Sequence, residues 1–344
     1  MASRGKLRGA ISGFGEVAAR AHLPGWLTRE SVAIGVVHDP ISERRHEAIR
    51  LIKNVRVYDD LELMLDGEAP DFVDVASPPG MHHEAARAAL SAGAHVIVEK
   101  PLALSIVEFD ELAALAKQTG GVLMCVHNWK FAPAYAAASR AIQQRKLGEI
   151  RFVSIDRLRT EPAGALGSGV KWRASSASGG GILIDHGWHV FYLMNWLLGG
   201  EKPVSISARL QSPDGVDVDD VADVRIRFGG GAFCRAHLSW RAPVRRTSAL
   251  VYGDRASLEI EGERVTLTDR SGTVEDLSVA DVADDSYHAG WFGAVAAEFE
   301  QAVAEGTDSP IALRNLAEAR ISLALIDAAR QSATRDGVEI SLPL

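Results

Sequence analysis

The sequence predicts an α/β protein. Its first third reads as a parallel sheet wrapped by helices, and the remainder as an α+β domain on a mostly antiparallel sheet. Three observations carry this. Short apolar runs alternate with helical patterns up to about residue 127. A glycine turn, Gly13-Phe14-Gly15-Glu16-Val17-Ala18, joins the first run to the first helix. Beyond Glu149, period-two runs dominate. A chain of 344 residues is long enough for two domains, and the change of pattern divides it into 1–127 and 128–344.

In chain order, apolar runs at 7–12, 32–38, 55–58, 72–76, 95–98 and 122–126 read as strands. Helical patterns fill 16–27, 42–52, 83–92 and 107–119. Ser105 followed by Glu108 is a capping-box signal for the last of these. Strand–helix alternation with short links gives βαβ units, which place a ligand at the carboxyl ends of the strands. After a helix at 133–146, strands are expected at 150–158, 204–211, 223–228, 232–239, 249–252, 257–260 and 264–268. Gly229-Gly230-Gly231 between two alternating runs reads as a hairpin turn. A Gly/Ser/Ala-rich loop at 161–178 and a helix at 182–198 interrupt these strands. Helices at 291–304 and 313–330 close the chain, the last expected to pack back on the first domain.

Composition narrows the function. Lys plus Arg number 37 against 45 Asp plus Glu, a net charge of −8, which argues against duplex DNA or an anionic membrane as the main partner. Cys125 and Cys234 both lie in apolar stretches and read as buried free thiols of a reducing compartment. The basic N-terminus has no apolar h-region, and no run approaches a membrane span. A cytoplasmic enzyme is expected, with neither nucleic acid nor membrane as partner.

The glycine turn is a dinucleotide fingerprint with Ala18 at its third small position. Gly13 makes the tight turn, Gly15 lets backbone approach a pyrophosphate, and the helix start offers N–H groups to the phosphates. Asp39 ends the second strand, 24 residues beyond Gly15. A carboxylate there accepts from ribose hydroxyls and repels a 2′-phosphate, which favours NAD over NADP. Asp39-Pro40 is also a helix-start signal, and Arg44-Arg45 keeps NADP open. Ser77-Pro78 ends the fourth strand, and His82 opens the next helix facing the cofactor crevice. Glu99-Lys100-Pro101 follows the run His95–Val98. A lysine ending a buried strand needs a partner or a task.

Ser178-Gly179-Gly180-Gly181 leads into a helix on which Asp185, His189, Tyr192 and Trp196 share one face, opposite Leu183, Val190, Leu193, Met194 and Leu197. A carboxylate and an imidazole one turn apart suit acid–base work; such a stripe can also simply face water. The three glycines allow close approach of another chain or a ligand. Asp185, His186 and His189 also permit a metal reading, but no Cys or Glu cluster completes it, so no metal is expected.

Together these features make the chain resemble the Gfo/Idh/MocA family of oxidoreductases, which includes glucose–fructose oxidoreductase and inositol dehydrogenase. The likeness covers nearly the whole chain. Gly13-Phe14-Gly15 matches the cofactor turn. Ser77-Pro78 with His82 matches an A-T-P-x-x-x-H-like segment, and Glu99-Lys100-Pro101 the E-K-P motif, the most specific of the set. Asn128-Trp129-Lys130-Phe131-Ala132-Pro133 resembles the entry to the second domain. Trp172-Arg173, then Gly179-Gly180-Gly181, Asp185 and His189, resembles W-R…G-G-G-x-L-x-D-x-G-x-H. Lys130 stands where relatives often have Arg, Tyr192 where many have an acidic residue, and His186 is not a usual family residue.

The resemblance implies a Rossmann domain at 1–127 and, at 128–344, a substrate-binding and oligomerisation domain with a large, open, mostly antiparallel sheet. A homodimer or homotetramer is expected. It implies reversible hydride transfer between NAD, with NADP possible, and a secondary alcohol of a sugar, sugar derivative or cyclitol. His189 would take the hydroxyl proton, Lys100 stabilise the alkoxide, and Asp185 orient the substrate or His189. Glu99 would hold Lys100 or contact the cofactor. Gly13, Phe14, Gly15, Glu16, Val17 and Asp39 would bind cofactor, with Ser77, Pro78, His82, Glu99 and Lys100. Asn128, Trp172 and Arg173 complete that set. Lys100, Lys130, Arg173, Asp185, His189 and Tyr192 would meet substrate. His288 reads as a loop histidine that can reach the pocket. Two alternatives stand beside this: a redox-assisted glycosidase or lyase that keeps its NAD and works through a keto-sugar, and a non-catalytic NAD-binding regulator. A regulator can lose the lysine or histidine; this chain has both.

Overall fold

The computed structural model describes residues 6–162, 171–280 and 287–343; residues 163–170 of the expected 161–178 loop lie outside these. The described residues form two compact units. One runs to Asn128 and takes back the stretch ending at Ala319; the other begins at Trp129 and includes the chain from Arg320.

The first unit is built on β1 (Leu7–Ser12), β2 (Val32–His38), β3 (Arg56–Tyr58), β4 (Phe72–Val75), β5 (His95–Val98) and β6 (Leu123–Cys125), in the order β3-β2-β1-β4-β5-β6. All pairs are parallel. β4 and β6 are buried at every position, as strands covered on both faces require. The order reverses between β1 and β4, so the carboxyl ends of these two strands flank the place where such sheets take ligands.

A π-helical turn, Ala18–His22, runs into α1 (Leu23–Leu27). α2 (Ser42–Leu51), α3 (Leu61–Glu68), α4 (His82–Ser91) and α5 (Ile106–Thr119) follow. The Ser105 hydroxyl accepts from the Glu108 N–H at 3.2 Å, and the Glu108 carboxylate reaches back to the Leu104 N–H at 2.8 Å. α3 is absent from the sequence reading: Leu61-Glu62-Leu63-Met64-Leu65 mimics strand alternation. The Asp60 carboxylate decides for helix by accepting the Leu63 N–H at 2.9 Å. α8 (Ala289–Glu305) belongs to this unit. Phe299 packs on Phe72 and Trp26 at centroid distances of 5.5 and 6.1 Å, pairs worth about 0.5–1.5 kcal/mol each. Asn315, early in α9 (Pro310–Ala333), pairs both backbone groups of Cys125 at 2.7 and 2.9 Å. It thereby closes the edge strand β6.

The second unit carries β7 (Ile150–Leu158), β8 (Pro203–Gln211), β9 (Val221–Phe228), β10 (Phe233–Ser239), β11 (Arg246–Gly253), β12 (Ala256–Glu261), β13 (Arg264–Asp269), β14 (Val274–Asp276) and β15 (Ile340–Ser341). Their order is β14-β13-β12-β11-β7-β10-β9-β8-β15, antiparallel except for the parallel pair β7–β10. β14 and β15 are too short for alternation to reveal them. In β9, Ala222, Val224, Ile226 and Phe228 are buried while Asp223, Arg225 and Arg227 are exposed, the mark of a sheet covered on one face. α6 (Pro133–Gln143) packs across β12 and β13.

The expected helix at 182–198 differs in two ways. It starts as a π-helical turn, Leu183–Gly187, before α7 (Trp188–Leu197). Every residue from Leu183 to Asn195 is buried, so Asp185 and His189 do not lie on a solvated stripe. The tight approach to Gly180 and Gly181 comes from the chain itself. A Cβ at Gly180 would sit 2.6 Å from the Trp172 and Arg173 carbonyl oxygens; one at Gly181, whose φ is +102°, would sit 2.5 Å from the Asp219 carboxylate. Asp219 caps the π turn by accepting the Leu183 N–H at 2.7 Å.

Among the described residues, no helix is long and apolar enough to cross a membrane.

Candidate active site

In the first unit the glycine turn closes β1. Gly13 has φ +88°, and a Cβ there would lie 2.5 Å from the Ser77 backbone nitrogen, so only glycine fits. At Gly15 a Cβ would meet nothing nearer than the Arg44 guanidinium at 3.9 Å; that space is open beside the helix start carrying Glu16 and Val17. The Glu16 carboxylate accepts from the Tyr287 hydroxyl at 2.6 Å, and Val17 is exposed.

Asp39 is 1% exposed. Its carboxylate accepts from the Phe14 N–H at 2.7 Å and the Ile41 N–H at 2.9 Å. It is therefore not the N-cap of α2, which is Ile41; it ties the glycine turn to the end of β2. Arg44 approaches it at 3.4 Å, and Arg45 donates to its carbonyl at 2.7 Å. Among the described residues, the Ser77 hydroxyl and the Asn128 amide oxygen are buried without a hydrogen-bond partner. Open backbone at Gly15, a carboxylate ending β2 and two orphaned polar atoms fit a bound dinucleotide.

His82, expected at the cofactor, is completely buried, with Nδ1 and Nε2 each 2.7 Å from a carbonyl, of Pro101 and Ser77. Burial pushes its pKa down, against the pull of the two carbonyls. Its place is a brace between Ser77-Pro78 and the cis Lys100–Pro101 peptide.

Glu99 was expected to hold Lys100 or touch the cofactor. Its carboxylate accepts the Lys100 backbone N–H at 2.8 Å and meets His22 Nε2 at 3.2 Å. His22 Nδ1 lies 2.9 Å from Asp74, which also accepts the Trp26 indole N–H at 2.7 Å. The His22 ring stacks on Phe292 at 3.9 Å. Burial opposes the charged imidazole, but Asp74 and then Glu99 outweigh it and raise its pKa to about 9. Burial would raise the Glu99 pKa; His22 more than offsets it, and the net shift is downward. An imidazolium between buried Asp74 and half-buried Glu99 thus anchors the turn that presents Lys100.

In the second unit Arg173 donates to Asp185 at 2.8 Å and lies 4.2 Å over the Trp172 ring. His189 is 7% exposed. Its ring stacks on Trp129 at 4.3 Å and 6°, and its Nδ1 is 3.0 Å from the Tyr192 hydroxyl. That hydroxyl accepts the Trp129 N–H at 3.0 Å. Tyr192, expected to meet substrate, is completely buried; it stands behind His189 and orients it. Lys130 is buried. His186 lies 3.9 Å from Asp185 and edge-on to Trp240. His288, which belongs to the first unit, stacks on Trp291 at 3.7 Å. Among the described residues no group of three His, Cys, Asp or Glu side chains could hold a metal.

The reading of the sequence missed His22, Asp74 and Trp129. Asp74 carried a signal, a carboxylate inside the buried run Phe72-Val73-Asp74-Val75. His22 and Trp129 carried none outside the fold.

Comparison with known proteins identifies the family and the fold. Residues 7–127 match an oxidoreductase family with an NAD-binding Rossmann fold, and residues 135–259 match the GFO/IDH/MocA C-terminal domain. D-glucoside 3-dehydrogenase of Escherichia coli (strain K12) is 29% identical over 300 residues, spanning 82% of this chain and 84% of that protein. D-apiose dehydrogenase of Paraburkholderia graminis is 26% identical over 275 residues, spanning 78% and 71%. The crystal structure of GenD2 from gentamicin A biosynthesis in complex with NAD superimposes with a TM-score of 0.84 at 25% identity, covering 100% of both chains. Levoglucosan dehydrogenase, in complex with NADH and levoglucosan, gives 0.86 at 22% identity, covering 98% and 100%; this likeness bears on fold alone. The chain belongs to the Gfo/Idh/MocA family of oxidoreductases and carries its NAD-binding Rossmann fold.

Proposed function

We propose that the protein is an NAD-dependent dehydrogenase of a secondary alcohol on a sugar, sugar derivative or cyclitol, with His189 as acid/base residue and Lys100 stabilising the alkoxide. The observation that carries this is the mounting of His189: an imidazole stacked on Trp129 and held at Nδ1 by Tyr192, in a chain with an NAD-binding domain. The dehydrogenases of glucosides and apiose among its relatives support the substrate class.

Bound nicotinamide supplies the hydride acceptor. The chain supplies the rest. In the oxidative direction the substrate C–H leaves as hydride while its O–H proton passes to His189 Nε2. In the tautomer whose Nδ1–H donates to the Tyr192 oxygen, which has a second lone pair for the Trp129 N–H, Nε2 is the nitrogen that accepts the proton. The Lys100 ammonium donates to the oxygen as negative charge develops. Asp185, set by Arg173, accepts from a substrate hydroxyl, and Lys130 donates to another. Gly13 to Val17, Asp39, Ser77 and Asn128 hold the dinucleotide. Asp39 favours NAD by accepting from the adenosine ribose, although Arg44 beside it tempers the repulsion of a 2′-phosphate. In this reading residues 1–127 bind cofactor, and 128–344 supply substrate contacts and the surfaces of a homo-oligomer.

The test is a panel of glucosides, apiose, inositols and sugar acids assayed at 340 nm with NAD⁺ and NADP⁺. Reduction of NAD⁺ by at least one polyol, with NADP⁺ slower, is expected. Turnover without net NADH, on a cofactor retained through purification, would instead indicate a redox-assisted glycosidase.

A further inference from the structure

β7 alternates along its length. Val153 and Ile155 are buried among the core, and the same face continues into Arg157 and Arg159, the latter just past the strand. The Arg157 guanidinium carbon lies 4.1 Å over the ring of Trp129, the same indole that stacks on His189. Its Nη1 donates to the Thr247 hydroxyl at 2.7 Å, and its Nε is buried without a partner among the described residues. Among the described residues, Arg159 donates to neutral acceptors: the Leu158 and Arg246 carbonyls at 2.6 and 3.1 Å and the Thr247 hydroxyl at 3.1 Å. The Tyr135 hydroxyl, within the field of both, is buried and has no partner among the described residues.

Among the described residues, neither guanidinium has a carboxylate in ion-pair contact. The Asp185 charge reaches Arg157 only as a minor influence, and its carboxylate takes Arg173 at 2.8 Å. Asp156, the adjacent acid, alternates to the other face of the sheet. Exposed Arg245 adds positive potential. Burial, then Arg159, lowers the Arg157 pKa to about 9; burial, then Arg245, lowers that of Arg159 to about 10. Clustered, desolvated positive charge without a counter-ion is costly to keep. In a chain of net charge −8 it marks a place short of an anion. The planar fork of arginine suits a carboxylate or a phosphate.

We propose that the substrate carries an anionic group, and that Arg157 and Arg159 with the Tyr135 hydroxyl form the subsite that receives it. This rests on the reading of the His189 surroundings as the substrate site. It narrows the class from neutral polyols to sugar acids or sugar phosphates.

Calorimetric titration of the full chain in NAD⁺ with D-glucuronate, D-glucose 6-phosphate and D-glucose tests it. At least one anionic sugar is expected to bind about tenfold or more tighter than glucose, and the stronger of the two identifies carboxylate or phosphate. Arg157→Met is expected to erase the preference and Arg157→Lys to retain part of it. The ligand-free melting temperature of Arg157→Met should hold or rise, because an uncompensated buried charge is removed; a purely structural arginine would lower it. Equal binding of all three sugars overturns the subsite, as does a preference that survives Arg157→Met. Absorbance at 340 nm separates the two readings. Charge-selective binding without NADH keeps the subsite and removes the dehydrogenase; NADH formation without charge preference does the reverse.

Discussion

Replacing His22 by Gln tests the buried triad beneath Lys100. The imidazole lies between Asp74 at 2.9 Å and Glu99 at 3.2 Å and is 1% exposed. Its pKa rises from 6.5 to about 9. Each tenfold gain in proton affinity is worth about 1.4 kcal/mol, so the imidazolium stabilises the fold by roughly 3 kcal/mol. Because the folded pKa is the higher one, this contribution is complete below 6.5 and disappears as pH rises through about 9. His38, His82 and His95 act in the opposite sense. Burial lowers their pKa values, so their contribution is present above 6.5 and lost as pH falls. Stability should therefore peak near neutrality and fall by roughly 1.4 kcal/mol per pH unit on the alkaline side. Urea unfolding between pH 6.5 and 9.5 reads this slope. Glutamine donates without charge, so the variant should lose the alkaline slope and, at pH 7, about 3–5 kcal/mol for carboxylates left uncompensated. An alkaline slope identical in both proteins refutes the reasoning.

Tyr192→Phe removes the partner of His189 Nδ1 and of the Trp129 N–H. It should lower kcat about tenfold, leave KM near its original value and displace the ionisation seen in the pH dependence of kcat; a change confined to KM contradicts the orienting role. Gly13→Ala forces a side chain into φ +88° and within 2.5 Å of the Ser77 backbone. Titration should show NAD affinity at least tenfold weaker, whereas unchanged affinity would place the dinucleotide elsewhere.

Much of this was legible in the sequence because it rests on local pattern. The parallel strands announced themselves as unbroken apolar runs, and the glycine turn as spacing. Ser105 with Glu108 marked the start of α5. The second sheet was visible where alternation ran long, as in β9, and invisible in β14 and β15. Glu99-Lys100-Pro101, Asp185 and His189 stood out as candidates in the sequence because their chemistry is written in their type. What surrounds them was not. Helical periodicity assumes 3.6 residues per turn and one wet face, and it failed where Leu183–Gly187 winds as a π turn inside the core. The resemblance implied a substrate contact at Tyr192; its full burial and its hydrogen bonds with His189 and the Trp129 N–H arise from packing that the sequence does not display. His22, Asp74 and Glu99 are separated by up to 77 residues, a pairing only the parallel sheet creates. Arg157 and Arg159 drew no attention in the sequence, because only the fold shows them, among the described residues, without a carboxylate in ion-pair contact.

The central claim is that Lys100 and His189 carry the proton and charge of the hydride step. Stopped-flow absorbance at 340 nm under single-turnover conditions tests it most directly, using C-deuterated substrate and the variants Lys100→Met and His189→Ala. The account predicts hydride transfer slowed by roughly 10²–10⁴-fold in each, with a full primary isotope effect and NAD affinity largely retained in His189→Ala. Near-normal transfer rates in both variants would contradict it.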